Sequence, residues 1–382
     1  MSQLRSRAMF SYGSGLARAG ANFLLTVSIA RHSDLEVFAQ FALASFLLAF
    51  QQGLVRASWI DGLLGSRPRW AAVLSGVATF GVVSGVVLAL VGLALGNLFL
   101  LIAAIGAVGL AVMEVTSTEI LLSRGVRAVA VAQSVHVVGA VVGASWVEFL
   151  GADPIQGYAV WVLVPSSIGV LYVAARVRAG RPQAPNWIFA ADFVAGSGQA
   201  SAMAVILGGI VGPQGLAGLR GAGTVLAPVS VLVGSTRHVF IRHLGAERAA
   251  ALRSVYASSV PLVLSCAAMV AVLSALPDGL GVTILGDSWD ASRGLIAPLG
   301  IAVTLSMVST PLFAAHKVLG ADRRVLQVQL CVGSTRLLGV CVVGLVAGLV
   351  PAVWTMAVFA FLELLAWSIS LHVHLTEHAS HR

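Results

Sequence analysis

The sequence predicts an all-α integral membrane protein of about twelve transmembrane helices, arranged as two six-helix bundles related by a pseudo-two-fold axis along the membrane normal. Composition, the spacing of turn residues and the placement of basic residues predict it. Hydrophobic residues make up 58% of the 382 positions and charged ones 10%, whereas a soluble domain carries about 25% charged residues. A soluble core cannot absorb that much apolar surface, but lipid can. Each crossing needs about 20 predominantly apolar residues, so the chain has room for about a dozen. Backbone groups in hydrocarbon must be hydrogen-bonded internally, which makes these stretches helices rather than open strands.

The spans read Ala8 to Ala30, Leu35 to Val55, Trp70 to Leu95, Leu98 to Leu122, Ala128 to Leu150, Ile155 to Ala175, Ile188 to Val211, Leu216 to Ser235, Val255 to Leu276, Ser292 to His316, Leu326 to Leu349, and Ala352 to His372. Turn chemistry separates them at Arg31-His-Ser-Asp34, Gly96-Asn97, Gly151-Ala-Asp-Pro154, Gly212-Pro-Gln-Gly215, Pro277-Asp-Gly279 and Val350-Pro351. Met1 to Arg7 is short and basic, and the apolar run after it lacks a small-residue cleavage site followed by a soluble domain. It reads as a retained first span.

A net charge of +8 would suggest nucleic acid for a soluble chain. In a membrane protein it is read by position, because inner loops are enriched in Lys and Arg. With the N-terminus inside, alternate loops collect Arg5, Arg7, Arg56, Arg67, Arg69, Arg124, Arg127, Arg176, Arg178, Arg181, Arg237, Arg242, Arg248, Arg253, Lys317, Arg323, Arg324 and Arg382. The opposite loops hold only Arg31 and Arg293. Eighteen against two is an alternation that one missed span would scramble, so both termini are predicted to be cytoplasmic. The loop after Leu276, with Asp278, Asp287 and Asp290, is acidic and falls outside. No nucleic-acid partner is expected.

Arg176 to Asn186 is a basic, proline-containing linker between six spans and six. The lobes are accordingly residues 1–180 and 181–382. Two parallel six-span halves about an axis along the normal are a recurrent transporter plan, with the substrate site between them.

Motifs for chemistry are missing. Cys266, Cys331 and Cys341 are isolated in apolar stretches, with neither CxxC nor metal-ligand spacing. The sequence contains no nucleotide-binding loop, GxSxG elbow or HExxH motif. His372, His374, His378 and His381 lie in a solvated tail where no Cys or acid completes a metal set. A non-enzymatic protein with no cofactor and no metal is expected.

Ionisable residues within spans remain. Each costs at least about 2.5 kcal/mol at the bilayer centre, so each calls for a partner or a function. Arg336 lies fourteen residues before Val350 and Glu363 thirteen after it, so a helical hairpin sets them at one depth as a structural ion pair. Glu114 and His136 flank the inner turn at Arg124 at similar depth. They form either an interhelical hydrogen bond or, with Asp192, a site for ion coupling. Glu119 and Asp192 sit nearer the cytoplasmic surface, where solvation suffices.

Arg18 meets no acid at its level in the second span, around Leu48. Arg220 meets none in the seventh, since Asp192 lies about 18 Å deeper at 1.5 Å per residue. Such an arginine faces an acid on a distant helix, snorkels, or lines a polar cavity for an anion. The companions Ser11, Tyr12, Ser14, Asn22 and Thr26 in the first span, and Gln199 and Ser201 in the seventh, favour the cavity. Arg18, Arg220, Asn22 and Gln199 are thus the candidate substrate-binding set. Gly139 and Gly143, and Gly92 and Gly96, are read as helix packing.

Three segments resemble a known family. Ile29-Ala-Arg-His-Ser-Asp-Leu-Glu-Val-Phe-Ala-Gln-Phe-Ala-Leu43, Gly212-Pro-Gln-Gly-Leu-Ala-Gly-Leu-Arg-Gly-Ala-Gly-Thr-Val-Leu-Ala-Pro228 and Ile284-Leu-Gly-Asp-Ser-Trp-Asp-Ala-Ser-Arg293 are similar to the lipid-linked oligosaccharide flippases. These belong to the multidrug, oligosaccharidyl-lipid and polysaccharide exporter superfamily. The resemblance implies a flippase moving a polyprenyl-diphosphate-linked glycan across the bacterial cytoplasmic membrane by alternating access. Glycan polymerases and glycosyltransferases of the membrane are then candidate partners. The alternatives are a multidrug or metabolite exporter of the same fold, and a non-transporting scaffold of a glycan-assembly complex.

Overall fold

The computed structural model describes residues 2–60, 69–124, 126–176, 182–196, 198–230, 232, 250–319 and 321–380. Of the basic residues that the sequence assigns to inner loops, Arg67, Arg178, Arg181, Arg237, Arg242, Arg248 and Arg382 lie outside them, as do His381 and the side chains of Ser11, Tyr12 and Ser14. Among the described residues all regular structure is helical. The helices are α1 (Ser2–Arg31), α2 (Leu35–Val55), α3 (Trp70–Leu95), α4 (Leu98–Arg124), α5 (Val126–Leu150), α6 (Pro154–Arg176), α7 (Trp187–Ala195), α8 (Gln199–Val211), α9 (Pro213–Val225), α10 (Ala250–Ser274), α11 (Asp278–Leu285), α12 (Trp289–Val318), α13 (Asp322–Ala347) and α14 (Leu349–Ser380). Among the described residues eight helical stretches are long and apolar enough to cross a membrane, and the bent pair α7 and α8 makes a ninth.

The turns show why helices stop where they do. Asp34 accepts a hydrogen bond from the Val37 backbone N–H at 2.8 Å, capping α2. Gly96 ends α3 with φ +63°. Asn97 then caps α4 through Leu100 N–H at 3.1 Å and donates across to the Gln40 carbonyl at 3.1 Å. Asp153 caps α6 through Ile155 N–H at 2.7 Å, with Pro154 at the first helical position, where a missing N–H costs nothing.

Three local features differ from the hydropathy reading. The seventh apolar stretch is two helices, α7 and α8, bent by 55°, because Gly196 and Gly198 interrupt it and the Gly198 N–H bonds back to the Phe193 carbonyl at 2.7 Å. The acidic segment after Leu276 contains a short helix, α11, pinned where Trp289 Nε1 donates to Asp278 at 2.9 Å. The turn near Val350 centres on Gly348, φ +86°, so Pro351 sits in the first turn of α14, where proline is tolerated.

Contacts divide the chain into two compact units, Met1–Val205 with Thr283–Ser288, and Ile206–Val282 with Trp289–Arg382. In the first, α4 is the central helix and packs against α2, α3, α5 and α6. Phe41, Phe99 and Tyr158 from α2, α4 and α6 form an aromatic cluster with centroids 5.2 to 5.9 Å apart. The α4–α6 contact is backbone to backbone at Gly109, where a Cβ would collide with the Ser166 carbonyl. Gly143 meets Gly157 the same way between α5 and α6. In the second unit α12 is central, against α9, α10 and α14, with Leu312, Phe313, Val325, Trp367 and Leu371 in its core.

Candidate functional site: a polar cluster on four helices of the first unit

α1 carries Arg18 and, one turn on, Asn22 on the same face; the Asn22 carbonyl accepts from Thr26 Oγ1 at 2.8 Å. Arg18 Nη2 donates to Gln52 Oε1 on α2 at 3.3 Å. Its Nη1 lies 3.6 Å from Glu114 Oε2 on α4. His136 on α5 is buried close enough for the Arg18 charge to act on its ring, and its Nδ1 has no hydrogen-bond partner among the described residues. Beside Gln52, the buried Gln51 donates to Ser84 Oγ at 2.6 Å and to the Ala107 carbonyl at 3.3 Å, tying α2 to α3 and α4. Polar groups from α1, α2, α4 and α5 thus converge within an apolar bundle.

Glu114 is therefore paired with Arg18 and not hydrogen-bonded to His136, the partner that equal depth around the inner turn suggested. Arg18 has an acid after all, supplied by α4 and not by the adjacent α2. Glu119 also departs from expectation. Instead of being solvated it is buried, accepting from Tyr172 Oη at 3.0 Å and from Arg176 Nη1 at 3.2 Å, with Arg176 over the Tyr172 ring. A hydrated position is not needed for a carboxylate with two such donors.

The remaining candidates sit on other helices. Gln199 is buried at the start of α8 in the first unit. Asp192, half-buried in α7, lends its carbonyl to the Gly196 N–H at 3.0 Å across the break. Arg220 is half-buried on α9 in the second unit, where its carbonyl accepts from Thr224 at 2.8 Å. Also in the second unit, Arg336 Nη1 donates to Glu363 Oε2 at 3.0 Å, and Trp367 Nε1 to Glu363 Oε1 at 3.3 Å. Among the described residues no group of three His, Cys, Asp or Glu side chains could hold a metal ion.

Counting charges passes over Gln51 and Gln52, the neutral amides that hold the cluster. Their signal is a polar doublet late in an otherwise apolar span. Outside the cluster, at the C-terminal ends of α1 and α5, Arg31 and Glu148 pair at 2.8 Å.

Chemically, a guanidinium neutralised by a carboxylate costs little when the site is empty, and it offers planar donors to an anion when the carboxylate yields. Charged and amide groups thus cluster inside one bundle of a protein whose helices are long and apolar enough to cross a membrane.

The chain shares its helical fold with solved flippase and MATE transporter structures. It is similar to a lipid II flippase, MurJ, in an inward closed conformation, with 11% identity and a TM-score of 0.71 over 95% of this chain and 87% of that one. A MOP superfamily transporter from Pyrococcus furiosus shares 12% identity, TM-score 0.57, over 97% of this chain and 94% of that one. A Vibrio cholerae MATE transporter shares 13%, TM-score 0.60, over 98% of this chain and 97% of that one. No protein-family model and no curated protein matches the chain. Identities this low carry the fold alone.

Proposed function

We propose that the chain is a flippase that carries a polyprenyl-diphosphate-linked glycan from the inner to the outer leaflet of a bacterial cytoplasmic membrane by alternating access, with both termini cytoplasmic. The observation that carries this reading is Arg18, a permanently charged guanidinium held between the neutral Gln52 and a carboxylate 3.6 Å away. Moving a diphosphate past hydrocarbon requires compensating its charge, and arginine does so through paired N–H donors. Asn22, one turn along the same face, adds a polar group for the glycan. The similarity to a lipid II flippase supports the reading. In this view Arg220 and Gln199 complete the binding set, Glu114, His136 and Asp192 serve ion coupling, and Arg336 with Glu363 is structural.

A second reading is an exporter of cationic drugs or metabolites, supported by the fold shared with MATE transporters and by Glu114 as an acid within reach of a cation. The test separates them. In cells lacking the chain, well-expressed Arg18→Ala should leave surface glycan absent and lipid-linked precursor accumulated. Arg18→Lys should restore export partly, since it keeps the charge and loses the planar fork. Normal surface glycan with Arg18→Ala would overturn the flippase role of Arg18. Loss of cationic-drug resistance in Glu114→Gln cells would then favour the exporter.

A further inference from the structure

The end of the linker, residues 182–186, is held down along its backbone. The Gln183 N–H donates to the Ala72 carbonyl at 2.9 Å, the Gln183 carbonyl accepts from Trp59 Nε1 at 3.1 Å, and the Asn186 N–H donates to the Ser58 carbonyl at 2.9 Å. Gly76 on α3 permits the approach, because a Cβ there would collide with the Gln183 carbonyl. Ser58 and Trp59 belong to a π-helical turn, Arg56–Ile60, that continues α2, and such turns are frequent at functional sites. A chain that merely joined two lobes would need none of these bonds. Clamped here, it walls a cleft of about 500 Å³ lined by Ser58 and by residues 183–188, a volume within the range of small-ligand sites.

The cleft offers donors. Asn186 commits its Oδ1 to the Ile188 and Phe189 N–H groups at 3.1 and 3.4 Å, capping α7, which leaves its amide nitrogen to donate. The half-buried Gln183 adds a second amide and the buried Ser58 a hydroxyl. Arg56, two residues before Ser58, and Arg69, three before Ala72, are both exposed. Among the described residues of the segments that build the cleft, 56–60, 69–72 and 182–188, these arginines meet no Asp or Glu. The sequence adds Arg178 and Arg181 within five residues of Gln183. Beside the donors, Trp187 and Ile188 are 74% and 70% exposed at the start of an apolar span, the level at which tryptophan sits between headgroups and acyl chains. Donors, positive charge and exposed apolar side chains together fit an amphiphilic anion.

We propose that the cleft binds the headgroup of an anionic phospholipid. Ser58, Gln183 and Asn186 donate to its phosphate and glycerol oxygens, Arg56 and Arg69 compensate its charge, and Trp187 and Ile188 meet its acyl chains. Basic residues beside the end of a span attract anionic lipid in general; the clamped linker turns that attraction into a site of fixed geometry. On the proposed topology the lipid belongs to the inner leaflet. The site shares no residue with the Arg18 cluster, so it stands whether the cargo is a lipid-linked glycan or a cationic drug.

The test uses the full chain in nanodiscs of phosphatidylcholine that contain a minor fraction of lipid with brominated acyl chains, either phosphatidylglycerol or phosphatidylcholine. Bromine quenches tryptophan on contact, and the difference between wild type and Trp187→Phe, an exchange of an exposed side chain, isolates the signal of Trp187. At equal fraction, brominated phosphatidylglycerol should occupy this position at least about fivefold more than brominated phosphatidylcholine, since each arginine at a membrane surface contributes about that factor. Arg69→Gln should lower the preference by about fivefold. Gln183→Leu keeps every charge and the backbone clamp but removes a donor, and it should also lose most of the preference. Preference unchanged in Gln183→Leu would reduce the site to diffuse attraction by surface charge and overturn it. An equimolar amount of glycerol phosphate, which lacks acyl chains, should leave the signal in place; full displacement would make a free phosphate ester the occupant and overturn the lipid. Equal quenching of Trp187 by the two lipids in the wild type overturns the proposal without recourse to the site variants.

Discussion

Arg336 and Glu363 test the energetics of an intramembrane charge most directly, because their side chains are only 14% and 24% exposed and Glu363 takes a second donor from Trp367 at 3.3 Å. Removing one partner leaves the other without compensation, which typically costs about 3 to 5 kcal/mol. Arg336→Ala or Glu363→Ala alone should therefore lower thermal stability in detergent and abundance in the membrane, and the double variant should recover part of the loss. Strictly additive losses would count against direct coupling. Counting residues from a turn sets these two at one depth because their helices are consecutive. The same counting misplaces Glu114, since it compares only neighbouring spans, whereas α1 reaches α4 across non-sequential packing. Nor does it find the Tyr172 and Arg176 donors of Glu119, which come from two helices further along the chain.

Helices themselves were legible where apolar length and turn residues agree. α2 and α3 begin and end at the residues that hydropathy and punctuation select, and the predicted turn glycines Gly96, Gly151 and Gly212 all adopt positive φ. The break between α7 and α8 was not legible. Glycine within a lipid-facing helix serves packing as readily as bending, and only the Gly198 bond to the Phe193 carbonyl distinguishes the two. The turn glycines also differ among themselves. Gly96 has φ +63° and ψ +25°, a left-handed conformation that Asn tolerates. Gly348 has φ +86° and ψ −172°, a region essentially restricted to glycine. Gly348→Ala should thus destabilise the protein by about 1 to 3 kcal/mol, seen as a lower melting temperature, whereas Gly96→Asn should cost distinctly less. Equal effects would mean that the α13–α14 turn relaxes to another geometry.

At the scale of the whole molecule the alternation of basic loops makes the strongest claim, and it extends over inner loops such as those of Arg237, Arg242 and Arg248. Cysteine labelling in intact cells checks it. Cys331 is exposed and Cys341 partly so, so all three native cysteines are first replaced by alanine or serine, small enough to leave the core helices in place. Single cysteines then go to Asp153, Pro277 and Gln183. Asp153 caps α6, and losing that cap costs about 1 kcal/mol, too little to unfold a bundle of this size. Gln183 suits the purpose because its backbone, not its side chain, holds the linker: its N–H bonds to the Ala72 carbonyl at 2.9 Å and its carbonyl accepts from Trp59 Nε1 at 3.1 Å. With the linker inside, an impermeant thiol reagent should modify the cysteines at 153 and 277 from outside. It should reach the one at 183 only after the membrane is opened. Labelling at 183 in intact cells would reverse the orientation or remove a span. Either result would put the basic loops on the side of the membrane where arginine is normally scarce.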